Sequence, residues 1–164
     1  MSMKQAKWMV ATLLILGVLS YLWGRAPSKL SVDTPVSGSF TLVEAPTDCA
    51  VKGEGCTVAI DGLGAFRVSM PEEVVPLEKF AFEVVPQGEA ARATGEVRVD
   101  FEMVGMDMGI NAYRLQRLAD GRYRQDIILP VCTTTRTDWI ANLTIRSTEG
   151  AYLVRLPFNV DSSR

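Results

Sequence analysis

The sequence predicts an all-β protein, a small antiparallel sandwich that follows one apolar segment near the amino terminus. Two observations support this class. Short runs of alternating apolar and polar residues recur through most of the chain after residue 50, and glycine-containing turn signals separate them. No window after residue 30 has a helical period long enough to predict a helix. Strands are therefore expected almost throughout the carboxyl-terminal part.

The clearest strands are three segments in which apolar residues alternate strictly, EVRVDFEM, WIANLTI and YLVRLPFNV. The turn signal STEG lies between the second and third segments and predicts a hairpin. Successive side chains of a strand point to opposite faces, so each segment has one apolar face. The residues predicted to face the core are Val97, Val99, Phe101, Met103, Trp139, Ala141, Leu143, Ile145, Tyr152, Val154, Leu156, Phe158 and Val160.

Further strands are predicted upstream of these segments and between them. CTVAI and FRVSM are joined by DGLGA, and YRLQRL and RYRQDIIL are joined by ADG, so each pair predicts a hairpin. KFAFEVV supplies Phe80, Phe82 and Val84 in phase. About eight short strands separated by turns predict an immunoglobulin-like antiparallel β-sandwich, with no internal repeat and no second domain.

The composition excludes several kinds of function. The 164 residues include no histidine, which removes Ser-His-Asp and Cys-His catalysis and histidine-based metal sites. A formal net charge of -2 and scattered lysines and arginines provide no basic surface for nucleic acid. The remaining carboxylates and one spare cysteine show no arrangement for catalysis, so we expect a protein that is not an enzyme.

The amino-terminal residues 8–24 predict a transmembrane anchor. Their apolar interior is bracketed by Trp8 and Trp23, and a helix of about 17 residues reaches roughly 25 Å, the short end of what spans a bilayer. A cleaved signal peptide is the alternative. The end of the run reads SYLWGRA, which is bulky where a cleavage site needs small residues, and this favours an uncleaved anchor.

The cysteines indicate the compartment. Cys49 and Cys56 bracket a short glycine-containing loop that can close as a disulfide ring, and such bonds persist in oxidising compartments. Any of the three pairings with Cys132 remains possible, and a metal site at the pair would need further ligands nearby. The predicted organisation is a cytoplasmic tail (1–7), the anchor, a Pro- and Ser-rich linker (25–38) and a periplasmic β-sandwich domain (39–164).

The segment VGMDMGIN is the candidate metal site. Met106 and Met108 are alternate residues and would face the same way in an extended strand, while Met103 has the opposite phase. Gly105 and Gly109 could let the loop gather all three sulfurs. Thioether sulfur is soft and neutral and prefers copper(I) to zinc, calcium or magnesium, so the segment predicts a copper(I) site.

Each candidate ligand also has a structural interpretation. Met103 continues the apolar face of its strand, and methionine commonly fills gaps in a core. Cys132 could complete the copper site as a thiolate, form an intermolecular bridge or be buried as a small apolar residue. Trp139 begins an inward-facing alternation and is expected in the core rather than at a ligand-stacking surface.

The order GMDMG, LADGRY, LPVC, DW and a final hairpin ending LPFNV resembles the FixH and YtkA-like group of small membrane-anchored exported domains. The resemblance covers about the last two fifths of the chain. It implies a single amino-terminal anchor in a bacterial inner membrane, an immunoglobulin-like sandwich in the periplasm, and a role in copper supply or in assembly of a haem-copper respiratory oxidase. Met106 and Met108 match the group's Met-x-Met turn, and the chain departs from related copper-handling sequences in having no histidine nearby.

The function expected from the sequence is therefore copper(I) binding and delivery through the methionine turn, or assistance to oxidase assembly. Met106 and Met108 are the predicted ligands, Met103 and Cys132 the possible completing ligands, and a respiratory oxidase or a copper-delivery protein the expected partner. The alternative is a metal-free accessory module that holds an inner-membrane complex together.

Overall fold

Ten strands and one short helix make up the part of the chain that the structure, a computed structural model, describes: residues 39–106, 109–130 and 136–161. These residues belong to one unit, Gly38–Arg164. The strands are β1 (Thr41–Val43), β2 (Cys56–Ile60), β3 (Gly64–Ser69), β4 (Lys79–Gln87), β5 (Glu96–Met103), β6 (Ala112–Arg114), β7 (Gln116–Arg117), β8 (Tyr123–Ile128), β9 (Asp138–Arg146) and β10 (Ala151–Asn159). The helix α1 is Glu89–Arg92.

The strands form two five-stranded sheets. One sheet has the order β1-β10-β9-β5-β6 and the other has the order β2-β3-β4-β8-β7. All of these neighbours are antiparallel except β1 and β10, which are parallel. The predicted all-β class is confirmed, as are the hairpins predicted at DGLGA and at STEG.

The core lies between the two sheets, and Phe101 is at its aromatic centre. Its ring makes edge-on contacts with two rings of β4 in the opposite sheet. In its own sheet it makes edge-on contacts with one ring of β6 and one ring of β10. The nearest contact joins Phe101 to Phe82 across the sandwich, with ring centroids 5.7 Å apart. Of the core residues predicted from the three clearest strands, all are buried except Tyr152, which is half-buried against the core.

The segment YRLQRL is two strands rather than the single strand that was predicted. Ala112–Arg114 pairs with β5 in one sheet, and Gln116–Arg117 pairs with β8 in the other. Leu115 stands at the crossing, where it is buried and its N–H donates to the carbonyl of Val97 at 2.9 Å. Both residues of β7 are exposed, so the alternation ends after Gln116, and the pattern alone does not show which strand each part of the segment pairs with.

The pairing of β5 with β9 brings two loops to the same end of the sandwich. Met103, the last residue of β5, is opposite Trp139 near the start of β9. The described residues next to these strand ends, 104–106 and 136–137, therefore lie side by side, and we call the end of the sandwich that they occupy the methionine end. The chain begins β1 at Thr41, which pairs with Tyr152 near the start of β10, at the opposite end of the sandwich.

Several predicted features lie outside the described residues. They are the tail 1–7, the anchor 8–24, the linker 25–38, Met108 and Cys132. Within the ranges that the structure describes, no helix has the length and apolar character needed to cross a membrane.

Removal of the Phe101 ring should strongly destabilise the fold. Phe101 is 1 % exposed and contacts both sheets, so Phe101→Ala should lower the free energy of unfolding by about 3–5 kcal/mol. Denaturant unfolding followed by circular dichroism measures this loss. Ile110→Ala is the control, since Ile110 is 79 % exposed and its truncation should change stability by less than about 0.5 kcal/mol. Equal losses in the two variants would contradict the assigned core.

Candidate metal centre

A tight turn joins Met103 to Met106 at the end of β5. The N–H of Met106 donates to the carbonyl of Met103 at 3.2 Å, and the two residues form an isolated antiparallel bridge. Gly105 has a φ of +76° at the third position of this turn, where glycine is favoured because it has no side chain to clash. Val104 and Gly105 therefore turn the chain back so that Met106 lies beside the last residue of β5.

The two methionines differ in their exposure. Met103 is 3 % exposed on the core face of β5, so the predicted packing role of its side chain is confirmed. Met106 is half-buried and packs against the core from the turn. Because Met106 follows the last residue of the strand, its side chain is closer to the surface than that of Met103.

Trp139 lies next to Met103 in the neighbouring strand. The two residues are direct partners in the β5–β9 pairing, and Trp139 is in turn opposite Phe158 of β10. Trp139 is 1 % exposed, which confirms its predicted place in the core. The N–H of Val104 donates to the carbonyl of Asp138 at 3.2 Å, so the methionine turn is also tied to β9 through the backbone.

Two buried nitrogen donors near this end have no acceptor among the described residues. They are the indole Nε1 of Trp139 and the side-chain Nδ2 of Asn111. The backbone carbonyl of Asn111 accepts a hydrogen bond from the N–H of Phe101 at 3.0 Å, which fixes Asn111 beside β5. A buried donor without an acceptor is costly in a folded protein, and a bound water or ligand commonly supplies what is missing.

The carboxylates beside the methionine turn are already paired with arginines. Glu102 accepts a hydrogen bond from Arg155 at 2.8 Å, and Asp138 forms a two-pronged pair with Arg136. The hydrogen bond from Arg136 holds the pKa of Asp138 below its usual range. Within the described ranges, no group of three or more His, Cys, Asp or Glu side chains could hold a metal ion. The two described carboxylates beside this turn, Glu102 and Asp138, are therefore engaged with arginines.

The structure brings together only some of the predicted site residues. Met103 and Met106 are adjacent, whereas Met108 and Cys132 lie outside the described residues. The described residues that flank them are Met106 and Gly109 on one loop and Pro130 and Arg136 on the other. The copper ligand set of these four residues remains a prediction.

Cys49 and Cys56 form a disulfide bond, with Cα atoms 5.1 Å apart, as predicted. The bond closes a loop that also contributes to the core, because Val51 is 1 % exposed. The loop is joined to the end of β3 by two backbone hydrogen bonds, from Met70 N–H to the Val51 carbonyl and from Gly53 N–H to the Met70 carbonyl, both at 2.9 Å. The pair therefore has a structural role in this fold.

Lys52, inside the disulfide loop, connects this loop to the carboxyl-terminal segment. Its ammonium donates to the Asp161 carboxylate at 2.8 Å, and the same carboxylate oxygen accepts from the N–H of Val74 at 2.9 Å. The Lys52 hydrogen bond, followed by the Val74 N–H, lowers the pKa of Asp161. One carboxylate thus ties the disulfide loop and the β3–β4 loop to the segment after β10.

Sequence reasoning missed two features of this end. It assigned Trp139 to the core without relating it to Met103, because the pairing partner of a strand cannot be read from alternation. It also missed that Val104 and Ile110, in the loop that carries the methionines, are exposed apolar residues at 38 % and 79 %. In the sequence, Val104 precedes Gly105 and Ile110 follows Gly109, and apolar residues beside turn glycines could have indicated this exposure.

The function of the chain has to be inferred from its own residues. No protein-family model matches the sequence, and no curated protein matches it. The juxtaposition of Met103, Met106 and Trp139 at one end of the sandwich is therefore the main structural observation from which a function can be argued.

Loss of the disulfide should destabilise the fold moderately. The bond closes a ring of about eight residues, for which loop-closure entropy predicts about 2.5 kcal/mol of stabilisation. Cys49→Ser/Cys56→Ser should therefore lower the free energy of unfolding by about that amount, as measured by denaturant unfolding. The wild type in reducing buffer is the matched comparison. An unchanged midpoint for the double variant would contradict a stabilising role.

The Lys52–Asp161 pair should make stability depend on pH in the acid range. The pKa of Asp161 is lower in the folded protein than in the unfolded chain, so the pair stabilises above about pH 4 and this contribution disappears as the pH falls through the folded pKa. The Asp161 side chain is 44 % exposed, and solvent screening limits the contribution to less than about 1 kcal/mol. Asp161→Asn should lower stability at pH 7 and reduce its slope between about pH 5 and 2.

Thermal unfolding across this pH range measures the effect, and Lys52→Met provides the control. If the two groups act as a pair, combining Lys52→Met with Asp161→Asn should cost less than the sum of the separate changes. Parallel pH profiles for the wild type and Asp161→Asn would contradict the assignment.

Proposed function

We propose that this chain is a membrane-anchored exported protein that binds copper(I) at the methionine end of a β-sandwich and delivers it to a partner. The partner would be a haem-copper respiratory oxidase under assembly or another copper-delivery protein. The observation that carries the proposal is the bridge that holds Met106 against Met103 beside Trp139. Met108 and Cys132, which lie outside the described residues, are the proposed completing ligands.

The chemistry of the donors favours a soft monovalent ion. Thioethers are neutral and polarisable, and they select copper(I) over zinc, calcium and magnesium. The chain has no histidine, and the neighbouring carboxylates Glu102 and Asp138 are paired with arginines. Thioether ligands carry no charge and therefore attract the ion only weakly by electrostatics, which suits transfer to a partner.

The strand order supports the immunoglobulin-like assignment. Strands β5, β9 and β10 share a sheet in the positions that C, F and G take in an immunoglobulin domain, and β6 extends this sheet as C′ does. Strands β4, β8 and β7 correspond in the same way to B, E and D of the other sheet. The passage from β6 to β7 through Leu115 is the crossing from C′ to D.

The proposed location is the bacterial inner membrane, with residues 8–24 as the anchor and the sandwich in the periplasm. The Cys49–Cys56 disulfide supports this side of the membrane, since such bonds persist in oxidising compartments. The chain enters β1 at Thr41, remote from the methionine end.

A metal-free interaction module is the second candidate function. Five large apolar side chains of the described residues are exposed, and two of them, Val104 and Ile110, belong to the loop after β5; the others are Leu42, Leu77 and Ile128. Exposed apolar groups on a rigid scaffold commonly mark contacts with another protein. The same surface would also suit a copper donor that must dock before transfer, so the presence of bound copper distinguishes the two functions.

The copper proposal is tested by titration of the full chain in mild detergent with copper(I) against a competing chelator. The wild type should bind one equivalent, and Met106→Leu/Met108→Leu should bind at least about tenfold more weakly, which corresponds to about 1.4 kcal/mol. Leucine preserves side-chain volume and removes the sulfur, so folding should be retained.

Met70→Leu is the matched control for this titration. Met70 is 3 % exposed at the end of β3 in the other sheet, so its replacement removes a core thioether outside the methionine turn and should leave copper affinity unchanged. Equal weakening by both sets of substitutions would indicate nonspecific thioether binding. If the wild type binds no copper, the copper proposal is wrong and the exposed apolar surface becomes the site to investigate.

A further inference from the structure

We infer that Trp139 is itself part of the metal site, as an aromatic wall that contacts a monovalent cation held by Met103 and Met106. This inference rests on the proposed copper function and specifies how the site is built. It assigns to Trp139 a role beyond filling the core. It also names the chemical class of ligand, a soft monovalent cation such as copper(I) or silver(I), rather than a divalent ion.

The strand register places the indole against the methionines. Met103 and Trp139 are direct partners on adjacent antiparallel strands, and both are buried on the core face. Side chains in this relationship have Cβ atoms about 4.5–5.5 Å apart. Met106 is bridged to Met103 and packs against the same core from outside the strand. The two thioethers and the indole therefore belong to one small region at the end of β5.

The charge of the cation explains why an aromatic ring is useful here. Thioethers are neutral, so Met103 and Met106 do not themselves offset the positive charge of the ion. The residues next to Met103 and Trp139 in sequence, Glu102 and Asp138, alternate to the outer face and pair with Arg155 and Arg136. The negative face of an indole attracts a cation, and the attraction is stronger where water is excluded. Trp139 is 1 % exposed and meets this condition.

The indole N–H provides an independent observation. A buried tryptophan usually donates its N–H to an acceptor, yet Nε1 of Trp139 has none among the described residues. The side-chain Nδ2 of Asn111 shares this condition near the same end of β5. Because the N–H lies in the ring plane, a water or small anion at the edge of the indole would provide an acceptor for such a donor.

The test uses the natural fluorescence of Trp139 as a reporter. The chain has three tryptophans, so Trp8→Phe/Trp23→Phe leaves Trp139 as the single one in the full-length protein. Silver(I), a soft monovalent ion that does not change oxidation state, is titrated into this protein in mild detergent. We expect saturable quenching that is complete at one equivalent and has the same midpoint as binding measured by chelator competition.

Substitutions test whether the bound ion contacts Trp139 directly or changes its fluorescence through the surrounding core. Met103→Leu/Met106→Leu in the single-tryptophan background should abolish the saturable quenching, whereas Met70→Leu should leave it unchanged. In the otherwise natural chain, Trp139→Phe retains a ring with a weaker attraction for cations and should weaken silver(I) binding severalfold. Thermal unfolding checks that Trp139→Phe is folded, and if it is not, the quenching measurement on the intact Trp139 still decides the question.

The outcomes distinguish this inference from the copper proposal on which it rests. If silver(I) and copper(I) bind by chelator competition but Trp139 fluorescence does not change, Trp139 is not in the site, while the copper proposal stands. If quenching occurs but persists after Met103→Leu/Met106→Leu, the ion is bound elsewhere and the inference is wrong. If neither ion binds, both proposals fail.

Discussion

The pairing of β5 with β9 is the constraint on which the candidate site depends. These two strands lie at the centre of their sheet, and their register runs from Glu96 opposite Arg146 to Met103 opposite Trp139. A shift of one residue would turn every core side chain of one strand towards solvent, so burial of the alternating residues holds the register. The contact between Met103 and Trp139 follows from this pairing.

The second sheet stabilises that arrangement from across the core. Phe101, two residues before Met103, packs edge-on against Phe82 of the opposite sheet and Phe158 of its own. The end of β5 is thus fixed by a dry aromatic cluster while the turn beyond it reaches the surface at Met106. A rigid framework with a short projecting turn is the arrangement in which a protein can hold soft ligands in place and still release an ion to a partner.

Much of the fold could be predicted from the sequence because burial on one face of a strand leaves a period of two. The alternate apolar residues of EVRVDFEM and WIANLTI were assigned correctly to the core, and two hairpins were located from their turns. The division of YRLQRL between two sheets could not be predicted, since a local pattern does not show which strand a segment pairs with. The disulfide was predicted from the short loop between Cys49 and Cys56.

The sequence by itself determined the donor chemistry, because the lack of histidine and the presence of methionines in a glycine-flanked turn are properties of composition and local order. It also determined which residues of each clear strand are buried, since alternation is a local pattern. Only the tertiary structure decided that Trp139 lies beside Met103 and that the disulfide loop meets Asp161. These residues are distant in the chain, and strand pairing and loop closure bring them together through contacts that no local pattern records.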